Sequence, residues 1–318
     1  MQPVILAVYM IVPSYCDLPE VLSNQIWNNF GCRSTKKSAI EKCKRLMKLH
    51  KIGFLPKDRF VKDCTKVGAE LLILGEHELS EFYLRNAYQE LKSQKTPDKE
   101  SLLIVSWNLV EALRLTGKYK EAERYLAIYG NLYLDRNSED ALKEYYHRNG
   151  QLAIAQGKFE SAALYLEMAV DKAKIAGSDT DGFFYPWILS ELIYTYCELG
   201  KYDGAKWMLD YCVKHKEKLS LESTMIDLHL AKYYKHMKKY HKAEHHIMNI
   251  LNTRKLHKKI GYNTCEILGD LYIRKREFTL AHSCYKQSYT ILRKYYSNNH
   301  SSVRKMRAKL ANTYQHDQ

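Results

Sequence analysis

The chain has 318 residues, 46% of them hydrophobic and 27% charged, with only 14 Gly and 6 Pro. That composition excludes collagen-like, disordered and linker-dominated chains, and it leaves a globular protein long enough for about two domains. The net charge of +14 is uneven: residues 1–200 hold 26 Lys and Arg against 26 Asp and Glu, while 201–318 hold 24 against 10 and ten of the thirteen histidines, a one-signed field that speaks of partners rather than of fold.

The first element is the apolar stretch Val4 to Val12, bracketed by Pro3 and Pro13 with no Lys or Arg before it. A signal peptide wants a positive leader and a small-residue cleavage site, so a packed N-terminal segment is expected. No run of 18 apolar residues exists, and no membrane span is expected. Ser34-Thr35 can cap a helix reaching about His50, ended by Gly53 and Pro56. From Arg33 to Lys51 that helix carries eight Lys and Arg and one Glu. Its apolar residues Ile40, Cys43, Leu46, Met47 and Leu49 leave an amphipathic face. Residues 1–56 therefore read as an N-terminal cap shielding the first repeat; contact with a calmodulin-type partner, a membrane surface or nucleic acid is the alternative.

From residue 57 on, a register repeats: a small residue, an aromatic or Leu three on, Gly four later, an aromatic two later, Ala three later. Its copies are Gly68-Leu71-Gly75-His77-Ser80, Val110-Leu113-Gly117-Tyr119-Ala122, Gly150-Ala153-Gly157-Phe159-Ala162, Ile193-Tyr196-Gly200-Tyr202-Ala205, Ala231-Tyr234-Lys238-Tyr240-Ala243 and Gly269-Tyr272-Arg276-Phe278-Ala281, with a half copy at Ala311-Tyr314. Successive anchors lie 42, 40, 43, 38, 38 and 42 residues apart. The small anchor lets two helices of a hairpin approach, and the Gly suits a turn that needs positive φ. The aromatic and the Ala share one face of the second helix. Flanking apolar residues recur at spacings of 3 and 4, as in Leu102, Val105, Leu109 and Leu113, so the expected fold is an all-α solenoid of about six helical hairpins plus a terminal helix over 57–318.

These copies resemble the tetratricopeptide repeat family. The units are longer than that family's usual period of about 34, and the closing Pro is absent. The run from Tyr295 to Val303 and on to Tyr314 resembles the kinesin-light-chain-like long-repeat variant. The resemblance implies a right-handed superhelix whose concave wall is lined by the first helix of each hairpin. Carried over by position, it places Trp107, Glu111, Arg114, Glu144, His147, Gln151, Tyr194, Glu198, Lys232, Lys235, His236, Asn263, Glu266, Asp270, Arg274, Lys305 and Asn312 on that wall. Trp107, Arg114 and Tyr194 are the residue types that most often anchor interfaces.

Chemistry-bearing patterns are sparse. His241-Lys242-Ala243-Glu244-His245 matches an inverted zinc-protease signature, but Ala243 and Tyr240 are repeat positions, so a solvated polar face is expected there and no metal. No G-x-S-x-G, Cys-His pair, P-loop or dinucleotide fingerprint occurs. Cysteines 16, 32, 43, 64, 197, 212, 265 and 284 form no C-x-x-C pair; Cys212 and Cys284 fall on repeat faces that want small apolar residues, and an intracellular, cytoplasmic or nuclear setting is expected. The sequon Asn299-His300-Ser301 carries no meaning there. The expectation is a non-enzymatic scaffold or adaptor without a cofactor, holding a protein segment with an acidic end. Two alternatives stand beside it. One is nucleic-acid binding by the basic C-terminal half with Tyr233, Tyr234, Tyr295 and Tyr296 interleaved; the other is a ligand-sensing regulator.

Overall fold

The structure, a computed structural model, describes residues 36–134, 139–177, 185–217, 223–252 and 258–314. The Val4–Val12 stretch, Cys16, Cys32 and the Ser34-Thr35 cap lie outside them. The described residues form fourteen helices and no strand. In chain order these are α1 (Lys36–Lys51), α2 (Lys57–Ile73), α3 (His77–Lys92), α4 (Lys99–Thr116), α5 (Tyr119–Leu134), α6 (Glu139–Gln156) and α7 (Phe159–Ile175). Then come α8 (Tyr185–Glu198), α9 (Tyr202–Lys214), α10 (Ser223–His236), α11 (Tyr240–Leu251), α12 (Lys258–Arg274), α13 (Phe278–Tyr295) and α14 (Ser301–Tyr314). From α2 to α13 the helices pair as six hairpins, each turn falling where the register puts it.

Two compact units divide the chain. The first takes residues 1–132 with 295–300, the second 133–294 with 301–318. Inside each, the same stacked-hairpin logic applies. Leu166, Ile188, Leu189, Leu192 and Ala205 are fully buried where α7, α8 and α9 meet, and Ala231, Ala243, Ile247 and Leu271 close the next layer. Close approach has a simple cause: at Gly269 a Cβ would stand 2.5 Å from the Tyr285 ring, and at Gly68 2.6 Å from Leu84.

Every hairpin turn is built alike. In α4 the Gly117 amide donates to Arg114 O and the Lys118 amide to Leu113 O, the paired bonds of a Schellman motif, which needs a left-handed residue. Gly117 supplies it with φ 79°. In the last two turns the equivalent residues are Lys238 and Arg276, and both still adopt φ near 60°, at 58° and 61°. The same backbone bonds form there, from Lys239 N to Tyr234 O and from Glu277 N to Tyr272 O. A side chain in that region costs about 1–2 kcal/mol, part of which glycine's larger unfolded entropy takes back. Lys238→Gly and Arg276→Gly should each therefore stabilise by about 0.5–1 kcal/mol in urea unfolding. A loss in either variant would show that its side chain makes contacts worth more than the strain.

The cysteines follow the expectation in part. Cys64, Cys197, Cys212, Cys265 and Cys284 are all free thiols. Burial pushes the thiols of Cys197 and Cys212 up to about 12, which keeps them inert. Cys284 is only half-buried, although its thiol is also pushed up, to about 11.

Candidate functional site

In unit 2 a cluster of polar and aromatic side chains comes from α8, α10 and α12, the first helices of three successive hairpins, and from the terminal helix α14. Tyr194 and Glu198 sit one turn apart at the end of α8, and the Tyr194 hydroxyl bonds the Glu198 carboxylate. Burial and that carboxylate together push the phenol's pKa far up. From α10, Lys232 Nζ stands 5.2 Å over the Tyr194 ring, a cation–π contact. Lys235 Nζ donates to Asp270 Oδ2 of α12 at 2.9 Å. His236 approaches Glu198 at 3.7 Å; burial and the neighbouring Lys235 ammonium hold its pKa down, so at neutral pH this is a contact with a neutral ring.

Two carboxylates on α12 organise this cluster. Glu266 meets Lys309 at 2.9 Å and Lys305 at 3.2 Å. Asp270 accepts from Lys235, from Lys309 at 2.5 Å and from the Tyr285 hydroxyl at 2.7 Å. Burial alone would raise both acids, but the surrounding ammonium groups outweigh it and hold Glu266 at about 2 and Asp270 below its ordinary value. This cluster is thus a lattice of alternating charges, in which α12 supplies the acids and α10 and α14 the bases.

Other expected wall residues lie differently. His147 and Gln151 on α6 are buried, converging on Glu191 of α8: His147 Nε2 lies 2.7 Å from one of its oxygens, and the Gln151 amide donates to the other at 2.8 Å. In unit 1, Trp107 is buried against Tyr129 with ring centres 5.0 Å apart. Glu111 and Arg114 form a buried two-pronged pair at 2.6 and 2.9 Å. These long side chains find partners on their own or the adjacent helix and turn away from solvent, because a buried charge without a partner costs far more than a paired one. Asn263 is half-buried, and Arg274 and Asn312 are exposed; the Arg274 guanidinium lies 4.5 Å over the Tyr240 ring.

The structure brings together Tyr194, Glu198, Lys232, Lys235, Glu266, Asp270 and Lys305. Position-matching omits three residues of these clusters: Lys309, Tyr285 and Glu191. The missed signal is charge complementarity at one repeat's distance. Lys235 and Asp270 are 35 residues apart, Gln151 and Glu191 40, Glu266 and Lys309 43.

The zinc-protease pattern resolves plainly. His241 and His245 are exposed on α11, Glu244 is engaged by Lys275 at 2.6 Å, and His246 bonds Asp227 at 2.8 Å. Among the described residues no group of three could hold a metal. The rings of the basic half are also occupied: Tyr233 and Tyr296 are buried, Tyr234 stacks on His246, and Tyr296 stacks on His300. Among the described residues no helix is long and apolar enough to cross a membrane.

No protein-family model matches this chain, and no curated protein does. Solved structures do match, 22 chains in all. The apo form of RapI superposes with a TM-score of 0.63 at 12% identity, over 84% of this chain and 94% of that one. The fold is a helical repeat. At that identity the likeness with RapI speaks for architecture alone: an all-α stack of consecutive helical hairpins.

Proposed function

We propose that this chain is a non-enzymatic adaptor of the tetratricopeptide type, and that the inner wall of unit 2 binds a peptide segment of a partner protein inside the cell. The observation that carries this is the cluster of polar and aromatic side chains, Tyr194, Glu198, Lys232, Lys235, Glu266, Asp270 and Lys305, contributed by the first helices of three successive hairpins and the terminal helix. Such a cluster offers a chain-like ligand repeated contacts at hairpin spacing, and its tyrosines and basic side chains are types that supply binding energy.

The partner's chemistry differs from a simple acidic tail. Lys235, Lys305 and Lys309 already answer Glu266 and Asp270. An acidic ligand would have to break those pairs, which strands two half-buried carboxylates. A segment carrying both signs can exchange with them one for one, and this is the partner class we assign. The test uses Lys232 and Arg274, which face rings and whose reversal leaves the Glu266–Asp270 lattice intact. Capture of a protein from cell lysate by Lys232→Glu/Arg274→Glu should fall about tenfold, while the thermal midpoint stays within a few degrees. Undiminished capture by this variant, with loss on reversing Lys44 and Arg45 of α1, would remove the wall as the site.

A further inference from the structure

We propose that the turn joining α1 to α2, with the basic face of α1 beside it, docks on an anionic phospholipid surface. The turn ends α1 in a Schellman motif: the Gly53 amide donates to His50 O at 2.9 Å and the Phe54 amide to Leu49 O at 3.0 Å, with Gly53 at φ 70°. In that motif the residue after the glycine usually folds back onto the helix, here onto Leu49. Phe54 does not. It is 77% exposed, the most exposed large apolar side chain among the described residues, and Ile52 on the other side of Gly53 is 65% exposed. The tip is held from below. His50 stacks on Phe60 of α2 with ring centres 3.6 Å apart, and Glu90 of α3 takes Lys57 at 2.9 Å.

Around this fixed apolar tip lie cations. Lys44, Lys48 and Lys51 follow spacings of 4 and 3, hence one face of α1, and Arg45 adjoins them. All four are exposed, and no carboxylate among the described residues is within ion-pair distance of them. Two features therefore point to one partner: a small rigid apolar projection, and exposed positive charge beside it. A bilayer interface with anionic headgroups answers both, since insertion removes Ile52 and Phe54 from water while each nearby cation gains from the surface potential. A nucleic acid answers the charge, but a duplex takes an apolar tip only by unstacking a base step, at a cost of a few kcal/mol. This surface shares no residue with the unit 2 cluster and does not depend on its function.

The experiment is co-sedimentation of the full chain with vesicles of phosphatidylcholine alone and of phosphatidylcholine and phosphatidylserine in equal parts. Binding is expected only to the second, weakening as salt rises. Lys44→Gln/Lys48→Gln/Lys51→Gln should lose about a hundredfold in vesicle affinity, and Phe54→Ser about tenfold, whereas Phe54→Trp binds at least as tightly. All these positions are exposed, so an unchanged thermal midpoint verifies the fold of each variant. Failure of the wild type to bind either vesicle overturns the proposal, as does binding indifferent to these substitutions. Tighter binding to a random DNA duplex, lost with the three lysines and untouched by Phe54→Ser, overturns it in favour of nucleic acid.

Discussion

Lowering the pH through the histidine range should weaken unit 2 before its paired carboxylates are protonated. The cause is His229 on α10. Its ring is buried, Ser190 Oγ of α8 lies 2.8 Å from Nε2, and among the described residues Nδ1 has no partner. An imidazolium there would bury an N–H without an acceptor. Burial first, and the Lys232 ammonium second, push its pKa down from 6.5 to about 3. The folded value is the depressed one, so the unfolded chain takes up the proton first. Stability is therefore full above pH 6.5 and drains as pH falls towards 3. The loss is about 2 kcal/mol by about pH 5 and about 5 kcal/mol in all. Glu266, held at about 2, keeps its ion pairs throughout the upper part of that window. Urea unfolding of the wild type and of His229→Gln between neutral pH and about pH 5 separates the contributions. The variant should lose much less stability over the same interval. Parallel curves would place the acid sensitivity elsewhere; His77 in unit 1, also buried with a lowered pKa, is the next residue to replace.

Gly269→Ala should cost about 2–4 kcal/mol, far more than an alanine in a helix interior ordinarily does. The new methyl would lie 2.5 Å from Cε1 and 2.7 Å from Cδ1 of Tyr285. That ring is buried and cannot swing aside without moving its hydroxyl, which donates to Asp270 at 2.7 Å. Overpacking and a lost charge-assisted bond therefore act together. The control lies on the same helix. A Cβ at Gly261 would meet only Ile291 Cδ1, at 3.5 Å, so Gly261→Ala should be neutral or stabilising by up to about 1 kcal/mol. Equal effects at the two positions in thermal unfolding would mean that the hairpin around Gly269 relaxes and that its close approach is not a constraint.

The repeat register was legible because it records local requirements that recur. A left-handed turn residue, an aromatic after it and an Ala against the next helix each leave a mark at fixed spacing, and the hairpins stand where Gly75, Gly117, Gly157 and Gly200 put them. Lys238 and Arg276 show the limit: the turn geometry persists without its glycine, so the residue type alone would have missed those turns. The site was legible only as a set of positions. Family geometry says which residues begin on the inner side of a helix, and it is silent on whether a neighbouring hairpin answers them. Trp107, Arg114 and His147 looked like offered side chains and are buried: Trp107 packs on Tyr129, Arg114 pairs with Glu111, and His147 meets Glu191. The basic excess of the C-terminal third looked like an open field, yet Lys235, Lys305 and Lys309 spend their charge on Glu266 and Asp270.

Those cross-hairpin pairs change what a truncation would mean. In a stack of independent modules, removing the last helix subtracts that helix and nothing else. Here α14 supplies two of the three ammonium groups that keep Glu266 and Asp270 ionised, and without it both acids on α12 would be left beside Lys235 alone. Loss of the terminal helix would be felt one hairpin upstream, and through Lys235 one hairpin further. Unit 2 thus behaves as a one-dimensional chain of neighbours whose couplings are electrostatic as well as apolar, in which damage at the end travels inward.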